Sequence, residues 1–142
     1  MKMIILVGLP GSGKSTIAEK YFPKYVRISQ DELGSREAAI KKCTQTLEAG
    51  LNVIIDRCNM SVSQRKHWID LALNHDVEVI TVIKLVVDPE ECVARLMDRK
   101  NHPTIGFDLP LNQKRDIIYK FAQESEPVSL EEGITNIIIT RN

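Results

Sequence analysis

The sequence predicts an α/β protein built on a mostly parallel five-stranded sheet, with helices on both faces and a small lid at about residues 95–110. Two observations carry that expectation. Short apolar runs alternate with stretches of helical periodicity along the chain, the pattern of parallel strands joined by crossover helices. Several of those runs lack polar alternation, as strands covered on both faces do. A length of 142 residues, 43% of them hydrophobic, fits a single domain over 1–142 with one sizeable core.

The elements follow in order. Met3–Val7, all apolar, is the first strand, and a glycine-rich turn leads from it into a helix at Lys14–Tyr21. Tyr25–Ile28 is the second strand. Ser35–Ala49 reads as a helix that puts Ile40, Cys43 and Leu47 on one face, with Gly50 positioned to end it. Asn52–Ile55 is the third strand, followed by a helix at Ser61–Asn74 with Ile69, Ala72 and Leu73 facing inward. The longest run of Ile and Val, Glu78–Val87, is the fourth strand. Asp88-Pro89-Glu90-Glu91 then has the form of a helix start, with Asp88 as cap, Pro89 at the first position and Glu91 closing a capping box. Lys100–Pro110, with two prolines and a glycine, is the loosest stretch, and it marks the lid. Asn112–Glu124, carrying Ile117, Ile118 and Phe121, is the last helix, and Asn136–Thr140 the fifth strand.

Charge narrows the function classes. Nineteen Lys and Arg balance nineteen Asp and Glu, so the chain lacks the surplus cations of a long nucleic-acid footprint. Any such contact is local. The apolar stretch Met3–Gly8 falls well short of the roughly 20 residues a membrane span needs, and no small-residue cleavage site follows it. Cys43, Cys58 and Cys92 are odd in number and form no Cys-x-x-Cys pair, which points away from a disulfide framework or a zinc site. A cytoplasmic setting is expected, and a nuclear one is compatible with the same features.

Gly8-Leu9-Pro10-Gly11-Ser12-Gly13-Lys14-Ser15 matches G-x-x-x-x-G-K-[ST] in its proper setting, between a strand and a helix. Such a loop turns backbone N–H groups toward phosphate oxygens and sets them at a positive helix end. Gly8, Pro10, Gly11, Ser12, Gly13, Lys14, Ser15 and Thr16 are therefore the predicted nucleotide-binding residues. Lys14 reaches the phosphates and Ser15 ligates Mg²⁺. The fold class is accordingly that of a P-loop NTPase or kinase. ATP is the expected nucleotide, because no Asn-Lys-x-Asp guanine-reading motif occurs.

Ligands of open parallel sheets sit beyond the carboxyl ends of the strands, where Asp31, Asp56 and Asp88 all fall. Asp56 and Asp88 each end an apolar run, the pattern of a magnesium-assisting carboxylate. Asp88 has a sufficient explanation as a helix cap, and Asp56 is the better candidate, for water-mediated metal contact or for acceptor binding. Asp31 stands where transfer to an alcohol needs a group to orient the hydroxyl and take its proton; capping the helix that follows is the competing role. Arg95 and Arg99 lie four apart at the entrance to the lid, suited to charge on a transferring phosphoryl group or, more plainly, to pairing with Glu91 and Asp98. His67 and His102 have no partner at metal-ligand spacing, and Trp68 reads as packing.

Together, Leu9 to Thr16, Ser29-Gln30-Asp31-Glu32-Leu33-Gly34, Ile54-Ile55-Asp56-Arg57-Cys58-Asn59, Gln64-Arg65 and Arg95-x-x-x-Arg99 resemble the P-loop kinase module of polynucleotide 5′-hydroxyl kinases, the kinase of nucleic-acid repair enzymes. The resemblance implies transfer of the γ-phosphate of ATP, or another nucleoside triphosphate, to a 5′-OH end of RNA or DNA with Mg²⁺. It implies Lys14 on the phosphates, Ser15 on the metal, Asp31 as general base, Arg99 as the lid arginine and Asp56 as an activity-determining rim residue. It also implies fusion to, or action beside, other repair enzymes. Two departures stand out. Gly34 replaces the acceptor-gripping Arg that phage-type enzymes carry three residues after the base, and Gln30 precedes the base where Arg is common. The acceptor clamp is left to Arg36, Arg57 and Arg65. A kinase of sugars, nucleosides or sugar nucleotides on the same scaffold, and a nucleotide-binding interaction module, are the alternatives.

Overall fold

The computed structural model describes residues 1–98 and 110–141. The strands are β1 (Lys2–Val7), β2 (Val26–Ile28), β3 (Val53–Ile55), β4 (Val79–Val86) and β5 (Asn136–Arg141). Every pairing is parallel, in the order β2-β3-β1-β4-β5. The helices are α1 (Lys14–Tyr21), α2 (Gln30–Leu33), α3 (Arg36–Glu48), α4 (Val62–Asn74), α5 (Pro89–Asp98) and α6 (Leu111–Gln123), with a 3-10 turn at Leu130–Glu132. Arg99, His102 and most of the predicted lid lie outside the described residues.

Strand β1 shows why the apolar runs need no alternation. Met3, Ile5 and Val7 face one side of the sheet, with Trp68, Ile69, Cys92, Leu96 and Ile118 in the same cluster, contributed by α4, α5 and α6. Ile4 and Leu6 face the other, where Ala18 of α1 covers them with Ile54, Ile83 and Leu85. Full burial of residues such as Met3, Ile5 and Ile55 contributes about 1.5–3 kcal/mol apiece. The helices cover both faces, as expected, but unevenly, and Ile138 and Ile139 on β5 stay half exposed.

Local differences from the expectation have simple causes. Helix α4 buries Arg65, Trp68, Ile69 and Ala72, so its inward stripe is rotated away from Leu73, which is 55% exposed. Ser61 and Gln64 close a reciprocal capping box at its start. Asp88 caps α5 by accepting from Glu90 N at 2.8 Å, but Glu91 pairs with Arg95 at 3.3 Å and closes no box. Capping of α3 falls to Ser35, whose hydroxyl accepts from Ala38 N at 3.1 Å, and not to Asp31. Asp31 sits inside the separate four-residue helix α2, which ends on Gly34 at φ +91°. Its carboxylate is exposed and free of the capping duty. No described helix is long and apolar enough to cross a membrane.

Candidate active site at the strand ends

All-parallel pairing brings the ends of β1, β2, β3 and β4 to one rim, and the predicted site is built there. Between β1 and α1 the chain turns through Gly8–Gly13. Gly11 and Gly13 have φ of +83° and +100°, and a Cβ on Gly11 would lie 2.9 Å from the Cys92 carbonyl of α5. A Cβ on Gly8 would meet Ser12 Oγ at 2.6 Å. Only glycine lets the loop close this tightly. No side chain caps α1, so the first-turn N–H groups of this helix lack an intrahelical partner, and Ser12 Oγ is buried without a hydrogen bond. An uncapped helix start beside a buried, unbonded hydroxyl fits a phosphate chain. Lys14 is 9% exposed, and its ammonium donates to the Leu9 carbonyl at 2.8 Å, within the same loop.

Arg95 makes the helix pairing the sequence allowed and also reaches the phosphate loop. Its Nε pairs with Glu91, and its Nη1 donates to the Gly11 and Ser12 carbonyls at 3.3 and 3.4 Å. The same guanidinium walls an open cavity of about 480 Å³ that runs along α1 past Thr16, Lys20 and Tyr21 to Thr140 of β5. That cavity starts at the phosphate loop and is large enough for a nucleoside.

On the other side of the loop, Asp56 follows β3 at 5% exposure and its backbone N–H donates to Ile28 O at 2.9 Å. Ser15 Oγ donates to Asp56 Oδ2 at 3.0 Å, so the predicted metal pair is in contact. Arg27, which the motifs did not flag, joins them: Nε donates to Asp56 Oδ2 at 2.7 Å and Nη2 to Ser15 Oγ at 3.0 Å. Burial works against the Arg27 charge, but Asp56 and then Glu32 outweigh it and hold the guanidinium above its ordinary pKa. A guanidinium seated on a hydroxyl and a carboxylate is a stand-in for a cation, and Ser15 and Asp56 therefore fit Mg²⁺. Among the described residues no group of three or more acidic, His or Cys side chains is placed to hold a metal.

The loop after β3 carries the remaining charges. Arg57 is half buried; burial first, and then the neighbouring charge of Arg36, lower its pKa, against the pull of Cys58 and Asp31. Burial pushes the Cys58 thiol up, against the charge and hydrogen bond of Lys14. Asp31, Arg36, Arg57, Cys58 and Lys14 thus form one electrostatically connected group. Arg65 does not belong to it. Its side chain is 0% exposed, and it donates to Glu132 at 2.8 and 3.2 Å and to the carbonyls of Asn59, Met60, Glu126 and Pro127. With all of its N–H directions spent inside the protein, Arg65 is corrected from acceptor candidate to structural residue.

The chain is 30% identical over 141 residues to the bifunctional polynucleotide phosphatase/kinase of Schizosaccharomyces pombe, covering 96% of this chain and 32% of that protein. It therefore spans about a third of that relative. Among solved structures, a fungal RNA kinase superposes with a TM-score of 0.68 at 19% identity, over 97% of this chain and 73% of the other. A gluconokinase from Sinorhizobium meliloti superposes with a TM-score of 0.65 at 16% identity, over 99% and 82%. Both share the fold of a P-loop kinase. Residues 3–123 match the model of the AAA_33 family, described as an AAA domain, and the chain belongs to that family of P-loop kinase domains.

Proposed function

We propose that this chain is an ATP-dependent polynucleotide 5′-hydroxyl kinase, transferring the γ-phosphate to a 5′-OH end of RNA or DNA. The observation that supports the reading is that Arg57, on the loop after β3, lies within electrostatic reach of both Arg36 and Asp31, with Lys14 acting on the adjacent Cys58. A polynucleotide end presents a phosphate one nucleoside away from its 5′-OH, and guanidinium groups within reach of the proposed base suit that phosphate. A zero net charge agrees with gripping an end rather than a length of strand.

In the reaction the 5′ oxygen bonds to the γ-phosphorus as the bond to the β,γ-bridging oxygen breaks, and the hydroxyl proton passes to the Asp31 carboxylate. Lys14 and the first-turn amides of α1 stabilise the charge on the phosphates. Arg95 sits over the phosphate loop to do the same from the opposite side, and Arg99 is proposed to join it. Mg²⁺, held beside Ser15 and Asp56, would neutralise the phosphate oxygens. The Schizosaccharomyces pombe relative joins a phosphatase to a kinase by name, which supports a place for this chain beside other end-processing enzymes.

An acceptor series tests the clamp. A nucleoside 3′-phosphate and a short 5′-OH oligomer should be phosphorylated, and the bare nucleoside should not. Arg57→Ala should raise KM for the oligomer about tenfold, the loss of one charged hydrogen bond, and leave KM for ATP unchanged. Equal turnover on nucleoside and oligomer, or preference for a sugar, would refute the polynucleotide assignment.

A further inference from the structure

Arg27 has no part in the transfer chemistry above, yet it occupies the metal position. Its guanidinium spans Asp56 Oδ2 at 2.7 Å and Ser15 Oγ at 3.0 Å, while Nη1 reaches Glu32 at 2.8 Å and Glu19 at 3.3 Å. Ser15 Oγ gives its proton to Asp56 and accepts from Arg27. The oxygen that a divalent cation needs is therefore engaged by a cation already. Leaving Asp56 unpaired at 5% exposure would be costly, so the guanidinium has a structural reason to be there. A metal ion at Ser15 would stand a few ångströms from it and repel it. Glu32 and Glu19, whose side chains are 58% and 67% exposed, offer the guanidinium a seat on the far side.

We propose that Arg27 is a built-in competitor for the divalent cation: it holds Ser15 and Asp56 together when no metal–nucleotide is bound, and withdraws onto Glu32 and Glu19 when the cation arrives. This rests on Ser15 and Asp56 being the metal position. Cation affinity is thereby set lower than the ligands alone would give, and loading the site costs the Arg27 bonds to Ser15 and Asp56.

The test uses Mn²⁺ as the cation, the full chain and ADP, with bound Mn²⁺ read from the loss of the free-ion spin-resonance signal. Arg27→Met should bind Mn²⁺ in its ADP complex at least about fivefold more tightly than the wild type, the lower end of ordinary coupling between sites. Without metal the variant should melt at a lower temperature, and Mn²⁺ with ADP should raise its midpoint by more than it raises that of the wild type. If Arg27→Met does not fold, Arg27→Lys serves, because a point donor can hold Asp56 but cannot also span to Ser15. Equal or weaker Mn²⁺ affinity in the folded variant overturns the proposal and makes Arg27 a support of the metal site. Ser15→Ala should weaken Mn²⁺ binding; no change there refutes the metal position and the proposal with it. No acceptor enters these measurements, so an error in the polynucleotide assignment leaves them unaffected.

Discussion

Asp31→Ala should lower the rate constant for phosphoryl transfer by about 10²–10⁴-fold, the usual contribution of a positioned general base, and leave nucleotide affinity unchanged. The separation of effects follows from placement. Asp31 lies exposed on α2, which ends at Gly34, whereas the phosphate-binding amides belong to the loop between β1 and α1. Ser35 caps α3, so removing the Asp31 carboxylate costs that helix nothing. Single-turnover transfer and calorimetric titration with ADP measure the two quantities separately. Near-normal turnover in the variant would remove Asp31 from catalysis, and a matching loss of ADP affinity would make it a nucleotide-binding residue instead.

Arg65→Ala has the largest expected effect on stability, a loss of about 3–5 kcal/mol, because it removes the buried guanidinium that pairs with the Glu132 carboxylate and satisfies the buried Asn59 carbonyl. The pair joins positions 67 residues apart, α4 to the 3-10 turn ahead of β5, while Arg65 also holds the Asn59 and Met60 carbonyls of the loop after β3. It also bears on the phosphate loop, since the Cys58 carbonyl in that tied loop accepts from Gly8 N at 3.0 Å. Urea denaturation reads the loss. The double variant Arg65→Ala, Glu132→Ala should lose less than the two single variants together, as partners in contact do. Additive losses would show that the pair is not the source of the effect.

Much of this site was legible from residue order because its parts are local. A phosphate loop is a strand, four fixed positions and a helix, all contiguous, and the parallel sheet puts whatever ends a strand on the same rim. Asp56 needed only its place after Val53-Ile54-Ile55 to be aligned with Ser15. Asp31 was placed correctly on the rim, but its competing role as a cap could be removed only by seeing Ser35 take that duty. Arg65 stood as an acceptor candidate on the resemblance at Gln64-Arg65; its partners are distant in sequence, and only folding brings Glu132 to it. Arg27 was missed for a related reason. Its signal was a cation between the apolar Val26 and Ile28 of a short strand, and what that cation meets depends on the pairing of β2 with β3, which sets Arg27 opposite Ile54, two residues before Asp56. The face of α4 was misjudged at Leu73 because a single apolar residue beside Ala72 fits two neighbouring stripes equally well.

The most direct test of the central claim is transfer of label from γ-labelled ATP, with Mg²⁺, to matched 5′-OH RNA and DNA oligonucleotides, run beside Lys14→Ala and Asp31→Ala. The account predicts label on at least one oligomer's 5′ end and none with either variant. Protein that binds ATP yet labels neither oligomer, while phosphorylating a sugar or nucleoside, would contradict it.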